Sequence, residues 1–133
     1  MNRKAAHLNE IERFRNLTEL DVSGNLLVQE VTGLIKLPFL KKLNLANNQI
    51  STLWPLPHTL EILNLNFNNL KELKSEVMLQ LCNLVTLEIA NNDLENLEGV
   101  NNLPRLKRLI ANNNKIQMLE PLKNLKALVE IDL

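Results

Sequence analysis

Residues 60–70 read LEILNLNFNNL, and this stretch decides the fold. Its apolar residues Leu60, Leu63 and Leu65 alternate with polar ones towards its middle, which predicts a short strand with one buried face. Asparagine follows at the ninth position, where the chain has to turn away from the strand. The same eleven-residue pattern recurs at Leu17–Leu27, Leu40–Ile50, Leu84–Leu94 and Leu106–Ile116, and a sixth copy begins at Leu128. The chain is therefore a tandem array of one structural unit.

The spacing of these copies predicts a solenoid. Successive copies start at residues 17, 40, 60, 84, 106 and 128, which is 20–24 residues apart. Stacking the strands predicts a parallel sheet, and apolar residues at intervals of three after each asparagine predict 3₁₀ or short helical turns behind it. Because strands stack more closely than helical turns, the array is expected to curve with the sheet inside. The expected fold is an α/β right-handed solenoid with a curved parallel β-sheet on the concave face and short 3₁₀ or helical convex segments.

One domain accounts for the whole chain of 133 residues. Residues 17–133 form the repeats, and residues 1–16 form an N-terminal convex half-repeat or capping helix. The chain stops inside a strand motif at Leu133, which we interpret as truncation of a longer protein.

Two repeats depart from the average length. In the shorter one, the prolines of residues 54–57 predict an extended convex segment. In the longer one, residues 71–81 predict an amphipathic helix of about three turns. Cys82 follows on that helix, where we expect it to fill space in the core.

Asparagine occupies the same turn position in all five complete copies. A buried side-chain amide can both donate and accept hydrogen bonds, so it can satisfy turn N–H and C=O groups that have no strand partner. We expect a structural ladder of asparagines rather than a ligand site, formed by Asn25, Asn48, Asn68, Asn92 and Asn114.

The motif, followed by leucine at every third position, resembles the leucine-rich-repeat superfamily, and its repeat length is similar to the SDS22-like subclass with 22-residue repeats. The resemblance covers Leu17 to Leu133. It implies an intracellular, most simply cytoplasmic, scaffold or regulatory subunit, with cytoskeletal or ciliary association among the possibilities. The partner classes that it implies are a phosphatase and a dynein, tubulin or centrosomal component.

Bacterial internalins share this repeat length, and residues 116–122 resemble their proline-containing segment. A secreted, internalin-like adhesion module is therefore an alternative. Against it, the chain is rich in Lys and Glu and shows no secretion signal.

Composition argues against several other functions. Fifteen basic and fifteen acidic residues cancel, and a pI near 6.7 disfavours nucleic acid as a partner. The sequence has no apolar run that could span a membrane, and its single cysteine favours a reducing compartment. His7, His58 and Cys82 share no catalytic spacing, and motifs for metals and phosphates are lacking. We therefore expect no enzyme activity, no cofactor and no metal.

Strand residues that do not face the core are predicted to form columns across the concave face. Ile62 and Ile110 stand in otherwise polar columns, Phe67 lies just beyond the strand, and charged residues surround them. We expect this face to bind a partner protein, helix or peptide through Lys42, Ile62, Asn64, Phe67, Glu88, Arg108 and Ile110. Two alternatives stay open, namely that Phe67 simply packs on its neighbour, and that exposed solenoid ends make the chain a self-associating scaffold.

Overall fold

Six short parallel strands, one from each repeat, form a single sheet. The computed structural model describes the backbone of residues 5–133 and, among side chains, those of residue 8 and residues 10–133. The strands stack in chain order and are β1 (Glu19–Asp21), β2 (Lys42–Asn44), β3 (Ile62–Asn64), β4 (Thr86–Glu88), β5 (Arg108–Ile110) and β6 (Glu130–Asp132).

The register of the sheet follows the repeat. The middle residue of each strand pairs with the middle residue of the next, so that Leu20, Leu43, Leu63, Leu87, Leu109 and Ile131 form one column. This column faces the core, because Leu43, Leu63, Leu87 and Leu109 are at most 1% exposed. The predicted fold class, a leucine-rich-repeat solenoid with a parallel sheet, is confirmed.

Within residues 5–133, a short helical segment precedes β1 and others connect four of the five pairs of consecutive strands, whereas none lies between β2 and β3. Four are 3₁₀ helices, at Ala5–Arg13, Leu34–Lys36, Val100–Asn102 and Glu120–Leu122. The segment from Trp54 to Pro57 contains no helix, as its prolines predict. The first 3₁₀ helix lies within the predicted N-terminal unit 1–16, of which residues 1–4 fall outside the described structure, and that domain boundary stays a prediction.

The predicted three-turn helix in the long repeat is wrong in length. The α-helix α1 covers only Ser75–Met78. The residues before α1 belong to the core of the stacked repeats and are not helical, since Leu70 and Leu73 are buried and Lys74 has an extended backbone. The chain also has to leave the helix early in order to return to the next strand. None of the helices within residues 5–133 has the length and hydrophobicity that a membrane span requires.

The placement of Cys82 is also corrected. Its side chain is exposed and lies in the turn that follows α1, whereas the neighbouring Leu81 and Leu84 are fully buried. The early end of the helix explains this result. After Met78 the buried apolar residues are spaced by three, at Leu81 and Leu84, and Cys82 lies between them and faces outward.

The asparagine ladder is present as predicted. Asn68 shows the pattern, since its Oδ1 accepts from the backbone N–H of Ile50, and its Nδ2 donates to the carbonyls of Leu45 and Leu65, each at 3.0 Å. The side-chain amides of Asn48, Asn68, Asn92 and Asn114 each join two consecutive repeats in this way. In the part of the chain that the structure describes, that of Asn25 donates only to the carbonyls of Val22 and Ser23 in its own repeat. At the first rung Oδ1 of Asn25 is buried and accepts no hydrogen bond from the described residues.

We expect Gly99→Ala to cost about 2–3 kcal/mol of unfolding free energy. Gly99 has φ +100°, and an added Cβ would lie 2.9 Å from the carbonyl oxygen of Leu73 and 3.1 Å from Cγ of Met78. Gly24→Ala is the matched control, because Gly24 also has positive φ, +66°, but nothing lies within 4 Å of its added Cβ. Urea denaturation of both variants measures the difference, and equal costs would show that the contact with Leu73 can relax.

Candidate functional site

One face of the sheet is free of core packing, and its side chains form two columns. The register places the first residues of the strands side by side, namely Glu19, Lys42, Ile62, Thr86, Arg108 and Glu130. It places the last residues side by side as well, namely Asp21, Asn44, Asn64, Glu88, Ile110 and Asp132. None of these residues is buried. We call the two columns together the open face.

A shallow groove of about 420 Å³ crosses the open face from β1 to β4. Four of the seven residues predicted to bind a partner line it, namely Lys42, Ile62, Asn64 and Glu88. The rest of its lining comes from Glu19, Leu20, Asp21, Leu43 and Asn44. We call this depression the β1–β4 groove. Glu19, Asp21 and Asn44 were not among the predicted residues, although they stand in the same columns and the repeat spacing could have found them.

The other three predicted residues lie outside the groove. Arg108 and Ile110 belong to β5, one strand beyond it, and Phe67 lies in the turn after β3. Ile62 and Ile110 are two strands apart and in different columns, which separates their backbones by about 12 Å. A ligand that touches both would therefore have to cross several strands, as a helix or an extended peptide does.

Both basic residues of the open face are already paired with carboxylates. Nζ of Lys42 lies 2.7 Å from Oε1 of Glu19, and this hydrogen bond and its charge raise the pKa of the lysine. Nε of Arg108 lies 3.1 Å from Oε2 of Glu130, and its Nη1 lies 3.9 Å from Oε1 of Glu88. These pairs are substantially exposed, so we assign them a positional role rather than a large contribution to stability.

Asp21 is held by hydrogen bonds rather than by a cation. Its Oδ1 accepts from the hydroxyl of Ser23 at 2.6 Å and from the backbone N–H of the same residue at 2.9 Å. Its Oδ2 accepts from Nδ2 of Asn44 at 3.0 Å. The bonds from Ser23, with a smaller contribution from Asn44, lower the pKa of Asp21. This carboxylate is therefore ionised at neutral pH and points into the groove region with a fixed geometry.

Phe67 differs from its counterparts in the other repeats. The third residue after each of the first five strands has a left-handed backbone, with φ from +55° to +66°, and these residues are Gly24, Asn47, Phe67, Asn91 and Asn113. Glycine and asparagine tolerate this conformation, whereas a bulky side chain is strained there by about 1–2 kcal/mol. Phe67 is nevertheless 53% exposed. Packing on the protein itself therefore covers less than half of the residue.

The two candidate catalytic groups whose side chains the structure describes, those of His58 and Cys82, do not assemble into a reactive site. His58 and Cys82 lie in consecutive repeats, a relation that their spacing of 24 residues allowed and that the sequence prediction had not recognised. Nδ2 of Asn83 links them, but it donates to the backbone carbonyl of His58 at 2.9 Å, not to the imidazole, and lies 3.7 Å from the cysteine sulfur. His7 falls outside the described side chains. Among the side chains described, His, Cys, Asp and Glu form no group of three that could hold a metal ion.

Comparisons with known proteins agree with this architecture. The family described as "Leucine Rich repeats (2 copies)" matches residues 15–58. The alpha subunit of geranylgeranyl transferase type-2 of Mus musculus is 33% identical over 107 residues, which are 79% of this chain and 19% of that protein. Mimecan of Mus musculus is 38% identical over 98 residues, 71% of this chain and 32% of that protein. The chain thus spans between a fifth and a third of these curated relatives.

A solved structure extends the likeness to nearly the whole chain. An internalin C2 of Listeria monocytogenes superposes with a TM-score of 0.83 at 26% sequence identity. The superposition covers 98% of this chain and 56% of the internalin. The stack of repeats, rather than one local motif, is therefore what the two proteins share.

Proposed function

Because the chain is built of leucine-rich repeats and has their solenoid fold, a fold that typically serves as a non-enzymatic interaction module, we propose that it binds a partner protein on its open face. In this proposal the partner lies across the strands, over the β1–β4 groove and beside Phe67. The chain itself performs no chemistry on the partner. The transferase activity in the name of one relative is not carried over, because the chain matches only 19% of that protein.

Phe67 is the observation that carries the proposal. Its left-handed backbone and its 53% exposure both reduce the stability of the folded chain. Asparagine, which stands at three of the four equivalent positions, would avoid both costs. Strained residues with exposed aromatic rings are characteristic of binding sites, where a partner covers the ring. The partly exposed Ile62, on the strand that leads to Phe67, extends this anchor into the groove.

The finer part of the proposal concerns the partner and its location. The repeat length and the leucine spacing support the SDS22-like subclass, and with it an intracellular scaffold or regulatory subunit. Phosphatases and dynein, tubulin or centrosomal components are the partner classes that this subclass suggests. The likeness to internalin C2 over 98% of the chain supports a second candidate, a secreted adhesion module. The two candidates predict different locations for the same binding face.

Self-association through the ends of the sheet is less well supported. Stacking β6 of one copy on β1 of another in the register of the solenoid would place Glu130 beside Glu19 and Asp132 beside Asp21. Like charges directly opposite one another destabilise strand pairing. Sedimentation at several concentrations tests this point, and a monomer at all of them leaves binding of another protein as the function.

Affinity capture with the double variant Ile62→Ala/Phe67→Asn tests the proposal. We expect recovery of bound partners to fall at least about tenfold, since two apolar anchors are removed from the centre of the contact. The free energy of unfolding should stay the same or rise by up to about 1 kcal/mol, because asparagine relieves the backbone strain at residue 67.

Ile35→Ala/Leu79→Asn is the matched control. It removes side chains of similar size, which are 54% and 56% exposed, from positions outside the open face. We expect this variant to recover the same partners as the unmodified chain. Equal recovery with both variants would refute the open face as the binding site. A large loss of stability in Ile62→Ala/Phe67→Asn would instead assign Phe67 to packing.

A further inference from the structure

We infer that the open face selects a basic segment of its partner, one that combines at least two Lys or Arg side chains with an apolar side chain. This inference rests on the proposed function, because it specifies the chemistry of the partner at the same face.

The charge of the open face differs from that of the whole chain. The two columns contain five carboxylates and two cations, and their residues are Glu19, Asp21, Glu88, Glu130 and Asp132 against Lys42 and Arg108. Their net charge is therefore −3, whereas the complete chain has a formal net charge of 0. The neighbouring residues Lys41, Glu61 and Lys107 precede the strands and change the total only to −2. The open face thus has an excess of negative charge that the rest of the chain offsets.

The two cations of the open face do not neutralise its excess of negative charge. Lys42 and Arg108 are each within ion-pair distance of carboxylates of the same face, so neither is available to a carboxylate of a partner without breaking a pair. Asp21 accepts hydrogen bonds only from Ser23 and Asn44 in the described structure, and these neutral groups leave its charge in place. The same pairs also involve Glu19, Glu88 and Glu130, but five carboxylates face only two cations. The net charge of the face therefore attracts an incoming cation and repels an incoming anion.

The shape of the surface suits long basic side chains. Ile62 lies in the β1–β4 groove with Asp21 and Glu88, so an alkyl stem can pack on the isoleucine while its charged end reaches a carboxylate. The exposed ring of Phe67 offers a face for a guanidinium or ammonium group. Just beyond the groove the strands are followed by small or uncharged residues, which allow a backbone to approach closely, and these are Ser23, Ala46, Asn66, Ala90 and Asn112.

Display of random 12-residue peptides on the full chain tests the inference directly. We expect the selected peptides to be enriched in Lys and Arg, with a net charge of about +2 or more, together with an apolar residue. A selected peptide should bind the variant Asp21→Asn/Glu88→Gln about tenfold more weakly than the unmodified chain, and raising the salt concentration should weaken binding to the unmodified chain. These two substitutions preserve the size of the side chains and remove their charge. Each also replaces one acceptor oxygen by an amide group, which changes the hydrogen bonds that Asp21 accepts from Ser23 and Asn44 and that Glu88 accepts from Asn66, so the free energy of unfolding of this variant is measured alongside its binding.

Glu95→Gln/Glu98→Gln is the matched control. It removes the same charge from two exposed residues that follow β4 and do not line the β1–β4 groove. We expect it to change peptide binding by less than about twofold. Selection of acidic or uncharged peptides, selection of no peptide, or equal weakening by both variants would overturn the inference. If the captured partner depends on Ile62 and Phe67 but not on Asp21 and Glu88, the basic partner is refuted while the proposed binding function stands.

Discussion

Replacing Leu87 by alanine is expected to lower the free energy of unfolding by about 4 kcal/mol. Leu87 is the middle residue of β4, is fully buried, and stands in register with Leu63 on one side and Leu109 on the other. Removing its side chain leaves a cavity that these neighbours cannot fill, because each is fixed by its own strand pairing. Urea denaturation followed by circular dichroism measures the change. A domain of this size has about 5–15 kcal/mol in total, so the effect is a large part of its stability.

Leu20→Ala is the control for this prediction. Leu20 occupies the same column in β1 but is only partly buried, because β1 is the first strand of the sheet. The same change of side chain should therefore cost about half as much. Equal costs at the two positions would mean that the first repeat is packed as tightly as the middle ones, which its exposure contradicts.

Replacing Asn68 by alanine is expected to cost about 3 kcal/mol. The side chain is only 6% exposed, and its loss leaves the backbone N–H of Ile50 without an acceptor. It also removes one donor from each of the carbonyls of Leu45 and Leu65, which keep the Nδ2 of Asn48 and of Asn92, respectively. Water cannot readily replace these bonds in a buried turn, so the cost includes that of a buried N–H group left without an acceptor and not only the loss of hydrogen bonds.

Asn69→Ala, at the neighbouring position, is the control. It separates the loss of the ladder hydrogen bonds from the effect on stability of replacing any asparagine by alanine. Asn69 is exposed, and its side chain makes no hydrogen bond among the described residues. We expect a change within about 0.5 kcal/mol. Thermal or urea unfolding of the two variants provides the comparison. If Asn68→Ala were as mild as Asn69→Ala, the ladder would be a consequence of the fold and not one of its stabilising elements.

These two predictions concern parts of the chain that the open face does not use. Leu87 points into the core and Asn68 into the turn, whereas the side chains of Ile62, Phe67 and Asp21 make no hydrogen bond to a ladder amide in the described structure. Variants of the open face should therefore alter binding with little effect on folding. This separation is what makes the binding experiments interpretable, since a loss of binding can be compared with an independent measure of stability.

Strand register and the asparagine ladder could be predicted from the sequence because both depend on a short pattern that repeats. Once Leu63 is placed facing the core, residues 62 and 64 must face the other way, and the alignment of the repeated motif places Lys42 beside Ile62. The same argument places Asn68 where turn groups need a partner. Local alternation and the stacking of like units were sufficient for these results.

Helix length, the ion pairs and the extent of the groove could not be predicted in this way. Residues 71–81 have the apolar spacing of a helix. Leu70 and Leu73, however, are buried in the stack of repeats, and the helix α1 covers only Ser75–Met78. Cys82 then faced solvent and not the core. In each case a residue had to satisfy contacts with another repeat, and a pattern read within one repeat contains no information about them.

The sequence by itself determined the solenoid, the parallel order of its strands and the columns of the open face, because an eleven-residue pattern that recurs every 20–24 residues allows one way to bury its leucines. Only the tertiary structure decided that Lys42 and Arg108 are occupied by Glu19 and Glu130, that Phe67 has a strained and exposed position, and that Asp21 joins Ile62 in one groove. The physical reason is that side-chain pairing, backbone conformation in the turns and surface shape depend on distances between repeats, which exist only after the strands have stacked.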